Sequence, residues 1–269
     1  VWGAKWSKRL FGTYGVSGLV NVELTPEIAA KLGAAYSSCF KERPSVVVSS
    51  DAYKPSRMVK RALTSGLLSG GAGVYDLGRM TTPVTRYAVT ALKVSGGLHV
   101  RLSPYDPDIV LIEFLDDKGM NIDKATERKI ENAFFSEDFT RVSPDDIGEV
   151  AFLTRLIEEY LDCLLQTISV DLIRGKQFHV VVDYDPGNLS LLLPSCLSAL
   201  GCGVSASDRD NGTDQGPRHL LDMLDSLSFL AKSVIVQQAD LGIVVDSNAE
   251  RLLLVDEKGN RVSDDLLMA

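Results

Sequence analysis

Short apolar runs of strand length alternate with helix-like stretches along almost all of the 269 residues, and no other feature constrains the fold as tightly. A strand buried on both faces reads as an unbroken run such as Val46-Val47-Val48, whereas a packing helix spaces its apolar residues by three and four. Chains that alternate the two build α/β domains. Val46–Val48 lead into Ser49-Ser50-Asp51, and Pro55 opens a helix to about Leu68. Further strands are expected at Val74–Leu77, Gly97–Leu102 and Ile109–Leu115, with helices from Pro83 to about Val94, over 123–135 and over 145–168. A second unit then begins: strand Phe178–Asp183, helix Leu189–Leu200 closed by Gly201, strand Val204–Ser207, helix His219–Ala231, and strands Leu241–Val245 and Leu252–Val255. Length sets a prior of about two domains. The expected organisation is a lead-in over 1–9, a first domain over 10–173, a second over 174–260 and the start of a following segment over 261–269. A chain that begins at Val1 and stops where Asp264-Asp265-Leu266-Leu267-Met268 reads as the opening of a helix is expected to be part of a longer polypeptide.

Composition narrows the function classes. Apolar residues at 45% and charged residues at 24% suit a chain that buries a core. The net charge of -8 disfavours a sequence-blind grip on nucleic acid, so no nucleic-acid partner is expected. A phosphate site stays open, because one helix N-terminus or one arginine supplies it locally. No apolar run reaches about 18 residues and no secretory leader pattern is visible, so no membrane partner and a cytoplasmic location are expected. Cys39, Cys163, Cys196 and Cys202 show neither a CxxC pair nor a Cys/His metal spacing, which favours reduced thiols. His99 and His179 stand in apolar strand contexts and read as satisfied interior groups, His219 as exposed, and Asp208–Pro217 as a surface loop.

Ligands of open α/β sheets gather at strand carboxyl ends, so the loops that follow strands matter most. Leu10-Phe11-Gly12-Thr13-Tyr14-Gly15-Val16-Ser17-Gly18 has three glycines that permit close approach to a phosphate or a sugar, or simply a tight turn. In Arg101-Leu102-Ser103-Pro104-Tyr105-Asp106-Pro107-Asp108, Ser103 is either a phosphoryl acceptor on a strand-end turn or the first residue of a proline-rich turn. In Asp246-Ser247-Asn248-Ala249-Glu250-Arg251, alternate residues Asp246, Asn248 and Glu250 offer three oxygens to a hard cation with Arg251 beside a phosphate, or else form a polar hairpin turn.

Taken together and in this order, the three loops resemble the phosphohexomutases, the phosphoglucomutase and phosphomannomutase superfamily. Phe11-Gly12-Thr13-Tyr14-Gly15-Val16-Ser17-Gly18 is similar to FGTDGIRG, and Gly96-Gly97-Leu98-His99-Val100-Arg101-Leu102-Ser103 to GGIMVTAS. Ala239 to Arg251, followed by Val255-Asp256-Glu257-Lys258-Gly259-Asn260, is similar to ADLGIAFDGDADR and VDEKGN. The resemblance covers about 10–269. It implies two successive three-layer α/β/α domains with mixed sheets, the first carrying a phosphoserine at Ser103 and the second a Mg²⁺ loop at Asp246, Asn248 and Glu250. It also implies phosphate or sugar contacts from Arg251, Gly12 and Thr13, a hexose phosphate as ligand, and convergence of Ser103 and Asp246 on one cleft.

The sequence departs from the family pattern at the residues that carry its chemistry. Pro104, Tyr105 and Asp106 replace the His, Asn and first Pro of SHNP, and Glu113 stands at the lysine of GIKF. Ser17 replaces the arginine of GIRG and Tyr53 that of GRDTR, although Asp51 remains. Asn248 and Glu250 replace two aspartates of the metal loop. Weak or absent Mg²⁺ binding and degraded mutase chemistry are therefore expected, with a structural, regulatory or sugar-phosphate-sensing role. The alternative is an active mutase once further domains are present. One branch of the superfamily resembles the chain in both its degeneracy and its lead-in, the mutase-like region of mannose-1-phosphate guanylyltransferases, and this resemblance implies a nucleotidyltransferase domain in the same polypeptide.

Overall fold

The computed structural model describes residues 9–139, 141–190, 192–207, 220–263 and 265–266. The chain divides into two compact units, Val1–Leu156 and Ile157–Ala269. The first contains β1 (Val16–Leu19), α1 (Pro26–Ser37), β2 (Ser45–Ser50), α2 (Lys54–Ser69), β3 (Gly73–Arg79), α3 (Thr82–Leu92), β4 (Gly96–Leu102), β5 (Ile109–Leu115), α4 (Lys124–Ser136) and β6 (Val150–Phe152). Its six strands lie in the order β1-β5-β4-β2-β3-β6. The β4, β2, β3 and β6 strands run parallel, while β5 is antiparallel to both β4 and β1.

Local sequence sets these boundaries. Thr25 caps α1 by accepting the Ile28 N–H at 3.4 Å, with Pro26 in the first turn. Asp123 caps α4 through the Thr126 N–H at 2.7 Å. One sheet face sends Val46, Val48, Leu98, Val100, Val110, Ile112 and Phe114 into a core with Leu32, Tyr36, Leu63 and Leu67 of α1 and α2. Each such side chain contributes about 1.5–3 kcal/mol on burial. Helices α1 and α2 approach at Gly33 and Gly66, where a Cβ would run into the Leu63 carbonyl and the Ala30 carbonyl respectively. The opposite face is polar at its centre, and there the candidate site begins.

The second unit holds α5 (Leu156–Gln166, opening at the division), α6 (Val170–Arg174), β7 (His179–Asp183), α7 (Pro186–Leu189), α8 (Leu193–Ala199), β8 (Gly203–Ala206), α9 (Leu220–Val236), β9 (Leu241–Val245) and β10 (Leu252–Asp256). Its four strands lie in the order β10-β9-β7-β8, with β8, β7 and β9 parallel and β10 antiparallel. Met223, Leu230 and Val234 of α9 pack on Val181, Val244 and Val255, and Val180, Val182 and Leu197 form a smaller core on the other face.

Both units are α/β with mixed sheets, as expected, but several elements differ. The helix expected over 145–168 begins only at Leu156. Ahead of it, Gly148 presses on the Ala72 carbonyl, Val74 donates to Glu149 O at 2.9 Å, and Val150–Phe152 add a parallel strand to β3. Backbone pairing at an open sheet edge outweighs the helical spacing. For the same reason the division falls ahead of α5 rather than near 173. The expected helix Leu189–Leu200 is split into α7 and α8, with Pro194 in the first turn of α8. Val16–Leu19 belongs to a strand rather than to the opening loop, and α1 was not anticipated although Thr25-Pro26-Glu27 is a helix-start signal. The lead-in 1–8, the loop 208–217, His219 and residues 264 and 267–269 of the terminal segment lie outside the described residues. Among those described, no helix is long and apolar enough to cross a membrane. The four cysteines are free, and burial pushes the Cys39 thiol up to about 11.

The α1–α2 contact yields a direct prediction. Gly66→Ala places a methyl group against backbone, which cannot swing aside as a side chain would, and destabilises the chain by about 1–3 kcal/mol. Urea unfolding followed by circular dichroism reads this, and an unchanged midpoint would show that the helices do not meet there.

Candidate functional site

Ser103 follows β4 directly and starts the Ser103–Asp108 connection to β5. Its N–H donates to Ile109 O at 2.8 Å, and its Oγ accepts the Tyr105 N–H at 3.2 Å. The residue is half-buried, with Tyr105 exposed beside it. On its other side β4 outruns β2. The last strand pair is Ser50 with Val100. Asp51 then donates its N–H to Val100 O at 3.0 Å, and its carboxylate accepts the Leu102 N–H at 2.6 Å and the Tyr53 N–H at 3.0 Å. The aspartate retained from the GRDTR-like turn thus binds the strand end that presents Ser103.

The charge reversal expected at Glu113 is not left bare. Arg101, on the paired strand, directs Nε and a terminal nitrogen to Glu113 Oε1, each at 2.7 Å, and both side chains are about 4% exposed. Arg86 of α3 stands 3.5 Å from Oε2 and is itself held by Gly119 O at 2.8 Å and Asn121 Oδ1 at 2.7 Å. Glu113 therefore presents no net negative charge to the serine end of the sheet. Sequence reading missed the pair because it took the two strands singly. Opposite charges in two apolar strands joined by a short connection were the available signal. His99 lies directly across from Glu113, fully buried, with Nδ1 at 2.8 Å from Ser49 Oγ, so it is the interior group expected.

Gly12 and Thr13 sit on an exposed turn closed by the Gly12 N–H to Gly15 O bond at 2.8 Å. Gly15 has φ +124°, and a Cβ there would collide with the Ile112 carbonyl. Glu131 of α4 steadies the segment by accepting the Leu10 and Phe11 N–H groups at 2.8 and 3.2 Å. The sheet register puts Val16 in line with Ile112 and Val100, and Leu19 in line with Ile109 at the Ser103 end. The turn ahead of Val16 thus lies about three residues, roughly 10 Å, back along the strands from Ser103. The fold does not bring Gly12 and Thr13 to its row. Ser17 is in line with Leu111 and Arg101.

In the second unit the loop after β9 closes on itself. Asp246 donates its N–H to Arg251 O at 3.1 Å, while its Oδ1 accepts the Glu250 and Arg251 N–H groups at 2.8 and 3.2 Å. Its Oδ2 faces the Arg251 guanidinium at 3.7 Å. Asn188 of α7, which sequence reading did not single out, pins the loop by donating to Ser247 O at 2.8 Å. Asp246 and Asn248 are buried and Glu250 is exposed, so the three oxygens expected on one side of the turn do not share one environment. Among the described residues, no three His, Cys, Asp or Glu side chains gather where a metal ion could be held. Mg²⁺ demands near-octahedral oxygen ligands at about 2.1 Å. This loop, with its one buried carboxylate engaged by its own backbone, does not fit that demand.

The buried pair of the first unit gives a quantitative expectation. Glu113→Gln leaves the Arg101 charge enclosed and costs about 3–5 kcal/mol, whereas Arg101→Met with Glu113→Met costs much less than the sum of its parts. Urea unfolding of the single and double variants measures the coupling, and additive effects would remove the ion pair from the account.

Comparison with known proteins agrees with this architecture. Residues 8–141 match the family profile described as phosphoglucomutase/phosphomannomutase, alpha/beta/alpha domain I, and residues 158–259 match domain II. A phosphoglucomutase/phosphomannomutase of Thermococcus kodakarensis is 35% identical over 97% of this chain and 58% of its own length. A phosphoglucosamine/phosphogalactosamine mutase of Sulfurisphaera tokodaii is 32% identical over 93% of this chain and 55% of its own. The solved structure of a phosphoglucomutase/phosphomannomutase family protein from Burkholderia thailandensis superposes with a TM-score of 0.74 at 22% identity, covering 95% of this chain and 56% of that one, and so shares the fold. The chain spans just over half the length of the curated relatives it matches. With both α/β/α profiles in order and their strand-end loops in place, this chain belongs to the phosphoglucomutase/phosphomannomutase family.

Proposed function

We propose that this region binds a hexose phosphate but does not turn it over at mutase rates, and that it serves as a sugar-phosphate sensor in a sugar-nucleotide (GDP-mannose) biosynthesis protein. One contrast carries the reading: the serine loop is firmly built, while Asp246 spends its carboxylate on its own loop. Moving a phosphoryl group between a sugar oxygen and Ser103 Oγ develops charge that fixed cations must stabilise. Here Arg101 is engaged by Glu113, and the cation loop has exchanged two aspartates for Asn248 and Glu250. Each loss removes several kcal/mol of transition-state stabilisation, enough for orders of magnitude in rate. Binding survives such losses better than catalysis does, because it needs no stabilisation unique to the transition state.

The proposal extends to the surroundings: a cytoplasmic location and a nucleotidyltransferase domain in the same polypeptide, whose sugar 1-phosphate ligand would be the one sensed. The sequence of the full-length gene product tests that extension. The second reading is a working phosphoserine mutase, favoured by the strand-end placement of Ser103 and by the mutase names of relatives 30–35% identical.

Calorimetric titration with mannose 1-phosphate and glucose 1-phosphate separates these readings from pure scaffolding. The expected result is saturable binding, and no heat with either sugar at millimolar concentration would overturn it. Intact mass after incubation with glucose 1,6-bisphosphate adds the second arm. Rapid, stoichiometric gain of one phosphoryl group on Ser103 would favour the working mutase.

A further inference from the structure

We propose that Asp51 is the positioning residue of the serine loop: its buried carboxylate replaces a missing strand neighbour of Leu102, and so fixes Ser103 beside an acidic group. The inference rests on the reading of Ser103 as the phosphoryl-bearing position and deepens it.

A strand inside a sheet has backbone partners on both sides, and an unpaired buried N–H is costly. β4 has β5 on one side as far as Leu102, which pairs with Val110, and Ser103 extends that ladder by donating to Ile109 O. On the other side β2 ends at Ser50, opposite Val100. The chain then turns toward α2, whose cap is Tyr53, and the carbonyl that a continuing β2 would offer to Leu102 is absent. Asp51 fills the gap with Oδ2 at 2.6 Å, while Oδ1 takes the Tyr53 N–H and ties the same carboxylate to the start of a 16-residue helix. With 1% of its surface exposed, Asp51 has no comparable hydration to return to. The residue that carries Ser103 is therefore held from two elements at once.

The charge has a consequence at the serine. Leu102 N is one residue from Ser103, and consecutive Cα atoms are about 3.8 Å apart, so the carboxylate lies within about 10 Å of Ser103 Oγ. At that range two negative charges repel measurably in a partly buried setting. A phosphoryl group on Ser103 would be held in place by the strand and disfavoured as a dianion by Asp51. Such a group is presented for departure rather than stored.

The test uses the whole chain with encoded phosphoserine in place of Ser103, followed by ³¹P spectroscopy across pH at low ionic strength. Asp106 and Asp108 of the same connection, and the Arg101–Glu113 pair behind it, stay unchanged, so the difference reports Asp51. Asp51→Asn, which keeps one oxygen and the side-chain shape, is expected to lower the phosphate midpoint by about half a pH unit or more. Asp117→Asn, at the far end of β5, is expected to leave it in place. An equal midpoint in Asp51→Asn and the parent chain, or an equal shift in Asp117→Asn, overturns the proposal. Should Asp51→Asn fail to fold, the Leu102 amide proton of the parent phosphoserine chain is followed instead. It is expected to move with the phosphate titration, and a stationary amide overturns the proposal. Failure of a sugar bisphosphate to phosphorylate the unmodified chain would count against Ser103 as an acceptor and would leave these readouts independent of it.

Discussion

Arg101 and Glu113 are enclosed between two central strands, each about 4% exposed, and the first unit is organised around that enclosure. Removing two charges from water is costly unless their geometry is fixed and their remaining hydrogen-bonding capacity is met. The β4–β5 register meets that condition by placing Arg101 diagonally across from Glu113 on one face. A slip of one residue by either strand would turn that strand's charge toward the apolar side occupied by Val100, Ile112 and Phe114 and part the pair. The pair therefore does more than offset the reversed charge. It locks the register of the two strands, and that register decides where Ser103 leaves the sheet.

The two strand-end loops of the chain are built in opposite ways. Around Ser103 the neighbouring segments supply the bonds: Asp51 from the end of β2 and Ile109 from the start of β5. The serine side chain accepts a local turn bond from Tyr105, which leaves the hydroxyl proton free to be donated. Around Asp246 the loop supplies its own bonds, taking up the carboxylate through Glu250 and Arg251. A side chain satisfied inside its own turn is a structural element first. In a family whose members carry mutase names, this chain has one loop held by neighbouring segments and one closed on itself, the contrast on which the proposal of binding without turnover rests.

Much of the fold was legible in the sequence because its central strands are unbroken apolar runs and its helices start at proline-marked turns. Val46–Val48, Ile109–Leu115 and the stretch after Pro83 came out as read. The errors have physical causes. The spacing in 145–168 suits a helix, but an open edge at β3 offered backbone partners, and no local pattern reports an edge. The glycine turn left open a phosphate or sugar approach and a plain tight turn, because the reason for Gly15, the Ile112 carbonyl that a Cβ would meet, lies nearly a hundred residues away. At the site, Ser103 and Asp246 were legible from their motifs. Their tertiary partners were less legible: Asp51 was noted as a retained motif residue but not as the partner of Leu102, and Asn188 was not singled out. Glu113 was read as a reversed charge because Arg101, twelve residues earlier, becomes its neighbour only when the hairpin forms.

The central claim is that the fold keeps the means to hold a sugar phosphate while lacking the charge support for fast phosphoryl transfer. A coupled assay of hexose 1-phosphate to 6-phosphate conversion, on the full-length protein with sugar bisphosphate and Mg²⁺ supplied, tests it most directly. The account predicts conversion no faster than that of the Ser103→Ala variant. Clear turnover that disappears in Ser103→Ala would contradict it.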